Sequence, residues 1–263
     1  MKKVSVCMLL NNDYWGTIYS LERSGFAIVE KKGDWVVKGA PKEYMKVIDN
    51  VEVELLVAYT KNSDLALVEH FKELATHLIE IESVKNGVYG INDAKAYNQL
   101  FKLAQHEYVC VLKPYIFPQQ HWLIELIHYY EDVDKSGIIG VCPNFANVQY
   151  APLPSKELDR FVTLFLPNDN VVNPNGILFF LKEYLYLIGA LDENTLLVGG
   201  TEFIQLQKRF SAMGYNNFYI PTQSCLIINQ HKYTDYMGYQ ASTENLENTL
   251  SEMKKVKNYY IPL

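Results

Sequence analysis

The sequence has few of the residues that would commit it to a covalent or metal scaffold. Its four cysteines, at 7, 110, 142 and 225 of 263 residues, are scattered and form no Cys-x-x-Cys pair and no metal-ligand spacing. Three of them stand in apolar, strand-like runs, where buried free thiols are expected, and this suits a reducing compartment. No apolar run approaches the roughly 18 residues of a membrane span. Lys2-Lys3 followed by Val4 to Leu10 is too short for a signal peptide, has no small-residue cleavage site and stops at Asn11-Asn12-Asp13. These absences lead to the expectation of a soluble, cytoplasmic protein. Positive charge is also scarce. A net charge of −6 leaves no electrostatic footprint for nucleic acid, although a local basic pocket for a phosphate remains compatible with it. No Ser-His-Asp or Cys-His arrangement and no phosphate-cradling glycine loop is recognisable; Gly199-Gly200 alone is too short to be one.

What is present is an alternation of apolar runs and amphipathic stretches, in a chain 49% apolar and therefore able to bury a sizeable core. Strands are expected at Val4 to Leu10, Val51 to Ala58, Leu78 to Ile81, Tyr108 to Leu112 and Gly137 to Cys142. Helices are expected over Trp15 to Arg23, Asp64 to Leu78, Asp93 to Gln105, Trp122 to Tyr130 and Glu202 to Met213. Phe26 to Val29 and Trp35 to Val37 flank Glu-Lys-Lys-Gly-Asp as a hairpin, and a late strand covers Phe218 to Ile220 or Cys225 to Ile228. Such alternation points to an α/β fold with a mostly parallel sheet flanked by helices. Pro143 to Asn175, rich in Pro and Asn, is expected to form long loops over a binding face. Ser242 is placed to cap a C-terminal helix with Leu246, Leu250, Met253 and Val256 in one stripe, which docks on its own domain or on a partner or second subunit through 242–257. With no repeat and no linker, residues 1–263 are expected to be one domain, with halves at 1–142 and 143–233 and a helical tail at 234–263. The 20 tyrosines and 12 phenylalanines can supply sugar-stacking faces, but most are expected in the core.

Residues 188–215 carry the most specific pattern: Gly189, Leu191-Asp192-Glu193, Gly199-Gly200, Thr201-Glu202, Leu206, Arg209 and Gly214-Tyr215. This resembles the acceptor-side segment of the large inverting, family-2-like glycosyltransferases with the GT-A fold. Their pattern runs Gly-x-Phe-Asp-Glu, a glycine pair, Thr-Glu-Asp, Leu-x-x-Arg and Gly-Tyr. One position departs: Phe203 stands where the resemblance implies an aspartate that acts as the catalytic base. Glu202 is the carboxylate retained there, and a carboxylate beside an acceptor hydroxyl can take its proton; the same residue can instead cap or ion-pair at a helix start.

The resemblance also directs attention to residues that follow the strands, where ligands of open α/β sheets lie. After the second core strand the family has Asp-x-Gly-Ser-x-Asp; here Tyr59 replaces the base-binding aspartate and is able to stack on a base, while Asn62, Ser63 and Asp64 echo the rest or cap the next helix. Asn98, in Ala-x-Ala-x-Asn, matches a stretch that packs beside the donor, or serves as a structural hydrogen bonder. Where the family holds a divalent cation on Asp-x-Asp, this chain has Lys113 and Tyr115. Hard cations need oxygen ligands, so the chain is expected to do without that metal, and no other cofactor is implied. A lysine there either binds the diphosphate as a point charge or is a solvated turn residue. His231 falls near the late histidine of the family. Two readings follow: a hexosyltransferase-type enzyme moving sugar from a nucleotide sugar to a glycan or protein acceptor, or a catalytically silent sugar-binding, scaffold or accessory subunit.

Overall fold

A computed structural model of the chain describes residues 1–10, 17, 20–21, 24–32, 34–39, 47–48, 50–82, 93–114, 116–119, 121–145, 177–193 and 201–227. The expected loops from 146 onward, the helix at 242–257 and most of the helix at 15–23 lie outside these residues.

The sheet is built around β1 (Lys3–Leu9), in which every residue after Lys3 is buried. It pairs in parallel with β5 (Val51–Tyr59) on one side and β7 (Tyr108–Val111) on the other. Near-continuous apolar runs such as these belong to strands covered on both faces. At one edge β6 (His77–Glu80) adds in parallel to β5, with the short β4 (Val47–Ile48) antiparallel beside it. On the other side of β7 the direction reverses: β10 (Ile177–Leu181) runs antiparallel to both β7 and β9 (Ser136–Phe145). Then β11 (Asn216–Ile227) pairs in parallel with β9, and β8 (Ile116–Pro118) closes the edge antiparallel to β11. The nine strands run β4-β5-β1-β7-β10-β9-β11-β8, with β6 sharing the β5 edge. The expected hairpin is present as β2 (Ala27–Lys32) and β3 (Asp34–Gly39), a separate two-stranded sheet.

Five described helices flank the sheet: α1 (Leu65–Leu74), α2 (Asp93–Leu103), α3 (Trp122–Asp132), α4 (Glu183–Ile188) and α5 (Thr201–Ala212). None of them is long and apolar enough to cross a membrane. Strand β10 shows how the layers meet. Phe179 stacks on Tyr108 at 5.1 Å and meets Tyr130 of α3, whereas Phe180 meets Phe101 of α2 and Phe210 of α5. Adjacent strand residues face opposite sides, so α3 covers one face and α2 with α5 the other.

Several elements differ from the sequence reading. Helix α1 ends at Leu74 instead of reaching Leu78, because Thr76 is captured by the sheet: its N–H donates to Leu55 O (2.8 Å) and its hydroxyl accepts from Leu55 N (3.2 Å). The late strand is one long element interrupted by a register shift between Ile220 and Ser224, at Pro221, which cannot donate to a ladder. Strands β4, β8 and β10 and helix α4 are additional; β10 reads as an unbroken apolar run with no alternation. Cys7 and Cys110 are buried free thiols, and burial holds both well above the usual thiol range.

Asn217 ties three elements together. Its side-chain oxygen accepts from Ile138 N (2.9 Å), and its amide nitrogen donates to Gln207 O and Ser211 Oγ (3.0 Å each). Gly137 lies so close that a Cβ would sit 2.7 Å from that oxygen. Asn217→Leu is therefore expected to lower the unfolding free energy by about 3 kcal/mol, since it strands buried groups on β9 and α5; urea titration checks this.

Candidate functional site

The parallel strands β1, β5 and β7 point their carboxyl ends to the same edge of the sheet, and the residues after β5 and β7 therefore gather there. After β5 the chain makes a tight turn. Thr60 N donates to Ser63 Oγ (3.0 Å), Ser63 N to Thr60 O (2.9 Å) and Asn62 N to Thr60 Oγ1 (3.2 Å). Asp64 caps α1, accepting from Ala66 N at 2.8 Å and Leu67 N at 3.4 Å. Its local role is thus the helix cap. Tyr59 is partly buried against the core, beside Glu80 of β6.

After β7, Lys113 is 7% exposed and is not a solvated turn residue. Its ammonium lies 5.0 Å from the centre of the Tyr97 ring and 5.9 Å from that of Phe203, with Asp93 Oδ2 at 3.9 Å. Asp93 and Tyr97 are one turn apart on α2, and Phe203 is in the first turn of α5, so two helices converge on one cation. Two aromatic faces and a carboxylate offset the desolvation of the ammonium. Burial pushes the Asp93 carboxyl up, against the downward pull of Lys113.

Next to this cluster, Asn98 and Arg209 hold the segment after α4. Asn98 Nδ2 donates to Leu191 O (2.8 Å) and Glu193 Oε1 (2.9 Å), and Leu191 N donates to Asn98 Oδ1 (3.0 Å). From α5, Arg209 donates to Ile188 O (3.2 Å) and Ala190 O. Gly189, at φ 95°, makes the turn between them that a side chain would strain. Glu202 and Asp192 are both buried here. Phe203 is fully buried, edge-on to Tyr97 at 5.1 Å.

The structure thus brings Lys113, Asn98 and Glu202 into one region and leaves Asn62 and Asp64 in the turn before α1. Tyr115, Gly199, Gly200 and His231 lie outside the described residues. Sequence reasoning missed Asp93 and Tyr97 as the lysine's partners. Their i, i+4 spacing on one helix was visible, but not that Lys113 would meet them. Among the described residues no three His, Cys, Asp or Glu side chains form a group able to hold a metal ion.

No known sequence family and no curated protein matches the chain in sequence. Solved structures do match in shape. The mannosyltransferase PcManGT from Pyrobaculum calidifontis, in complex with GDP-Man and Mn2+, aligns over 97% of this chain with a TM-score of 0.62 at 12% identity. GalNAc-T7 with UDP, GalNAc and Mn2+ aligns over 87% with a TM-score of 0.56 at 13% identity. S. aureus TarS 1-349 in complex with UDP-GlcNAc aligns over 87%, at 0.54 and 15%. The fold is GT-A. At these identities the likeness shows the GT-A fold alone. The chain spans 65%, 44% and 59% of those three structures, less than two thirds of each.

The clamp on the 188–193 segment has a direct readout. In Asn98→Ala the Leu191 amide loses its acceptor and is expected to exchange with solvent about tenfold faster or more in native-state hydrogen exchange.

Proposed function

We propose that the chain is a glycosyltransferase domain of the inverting type. It takes a nucleotide sugar as donor and meets the diphosphate with Lys113 rather than with a metal held on paired carboxylates. Residues 1–142 form the donor half and 143–233 the acceptor half of one unit. The observation that carries this reading is the Lys113 ammonium, held by Asp93, Tyr97 and Phe203 at the carboxyl end of a central strand. A fixed ammonium binds phosphate as a point charge with three donors. Asp93, its carboxyl pushed up by burial, is a weaker counter-ion than a diphosphate.

In the proposed step the acceptor oxygen bonds to the anomeric carbon from the face opposite the diphosphate. The bond from that carbon to the phosphate oxygen breaks, and the nucleoside diphosphate leaves with the electron pair. Glu202 takes the acceptor's proton. Its place in the first turn of α5, buried next to the clamped 188–193 segment, supports this role. A second reading, a silent domain that binds a nucleotide sugar without transferring it, draws support from the burial of Phe203 where the resemblance implies the base.

Calorimetric titration with UDP-, GDP- and dTDP-sugars tests the donor site. Binding is expected to be indifferent to Mn2+ or EDTA, and Lys113→Met is expected to weaken it about 10- to 100-fold, the loss of one charge-assisted contact. Transfer that strictly requires Mn2+ would overturn the metal-independent reading. Where turnover is seen, Glu202→Gln is expected to lower it about 10²- to 10⁴-fold. Tight donor binding with no turnover against any acceptor selects the silent domain.

A further inference from the structure

One side chain of α5 has chemistry that nothing above uses. Gln205 is 2% exposed, and neither its amide nitrogen nor its amide oxygen has a hydrogen-bond partner among the described residues. A buried donor and acceptor left unmade are both unfavourable and rare in native structures. Three nearby polar side chains differ. Asn98, Arg209 and Asn217 are each bonded to two or more groups.

Helix geometry says where the idle amide lies. Residues three and four apart share a helix face, so Gln205 stands one turn from Glu202 and one turn from Arg209, in a single stripe. Arg209 bonds the carbonyls of Ile188 and Ala190, so the stripe faces the segment that leads to Leu191 and Glu193. Asn98 pins that segment from the α2 side.

The chemistry of the amide narrows its ligand. It offers one acceptor oxygen and one NH2 donor. A cation would satisfy only the oxygen, and a phosphate only the nitrogen. Neighbouring hydroxyls of a sugar, each able to donate and accept, satisfy both. Enclosed polar groups of this kind fix orientation and specificity in ligand sites.

We propose that Gln205 is a specificity-determining residue of the acceptor site, pairing with adjacent hydroxyls of a saccharide beside Glu202. This assignment rests on the transferase reading above. A site built to hydrogen-bond a hydroxyl rejects analogues that lack it far more strongly than an apolar pocket does.

The test uses the full chain and two variants. Gln205→Leu keeps the bulk and removes the idle atoms; without sugar it is expected to melt about 2–4 °C above wild type. On an array of defined mono- and disaccharides the wild type is expected to bind a subset, and Q205L to lose that binding at least tenfold. Gln205→Glu, which keeps the shape but not the donor, is expected to lose it too. The assignment is overturned if Q205L melts at or below wild type, as it would if a structural water bridged the amide. It is also overturned if both variants retain saccharide binding, or if the wild type binds no saccharide. Wild-type nucleotide-sugar titration is run alongside. Absent donor binding defeats the reading of the donor site, whereas donor binding together with saccharide binding unaltered in both variants defeats only the role of Gln205.

Discussion

A lysine ammonium taken out of water needs partners, and the residues around Lys113 are arranged to supply them. Desolvating an ion of this size costs several kcal/mol even after relaxation. One carboxylate at 3.9 Å and two ring faces offset that cost. The three partners come from two helices that are distant in sequence, so the cation at the end of β7 joins α2 to α5. Phe203 follows from the same constraint. A carboxylate in its place would pair with the lysine, whereas a phenyl ring both faces the cation and packs against Tyr97. Lys113 and Phe203 thus belong to one physical arrangement.

The sheet makes this convergence possible by setting one antiparallel strand in its centre. Antiparallel β10, between β7 and β9, places Phe179 and Phe180 on opposite faces and lets each hold a different helix layer. Lys182, just past its end, donates from its backbone to Glu107 O and from its ammonium to Ala104 O. The strand is thereby fastened to the chain between α2 and β7. Since α5 packs on Phe180 through Phe210, the helix that begins at Thr201-Glu202 is positioned by a five-residue apolar strand.

Local signals made most of the elements legible. Apolar runs marked β1, β5, β7 and β9, and helical spacing marked α2, α3 and α5 within a few residues. What stayed hidden depends on pairing across long sequence separations. Thr76 reads as a helix continuation until Leu55 is beside it. β10 has no alternation because both its faces are buried, and β8 is only three residues long. At the site, the Asp64 cap was written in the sequence; the burial of Lys113 was not, because nothing local to Lys-Pro-Tyr says that Tyr97 and Phe203 will cover it.

The segment at 188–215 earns its specificity from backbone geometry, and this explains why it reports fold better than reaction. Gly189 and Gly214 adopt positive φ, which glycine takes without strain. Arg209 ties down the carbonyls of Ile188 and Ala190, and Leu206 is core. Tyr215 packs on Tyr184 at 4.6 Å and against Phe210. Each of these positions shapes the turn after α4, the packing of α5 or the turn after α5. Chemistry is left to the few side chains on that frame that have no structural duty. Phe203 and Arg209 are committed to packing and clamping, whereas the Gln205 amide has no such commitment. A frame that satisfies Asn98, Arg209 and Asn217 and leaves one enclosed amide idle has the means to satisfy it. That the idle amide stands one turn from Glu202 is what turns a packing defect into a recognition site.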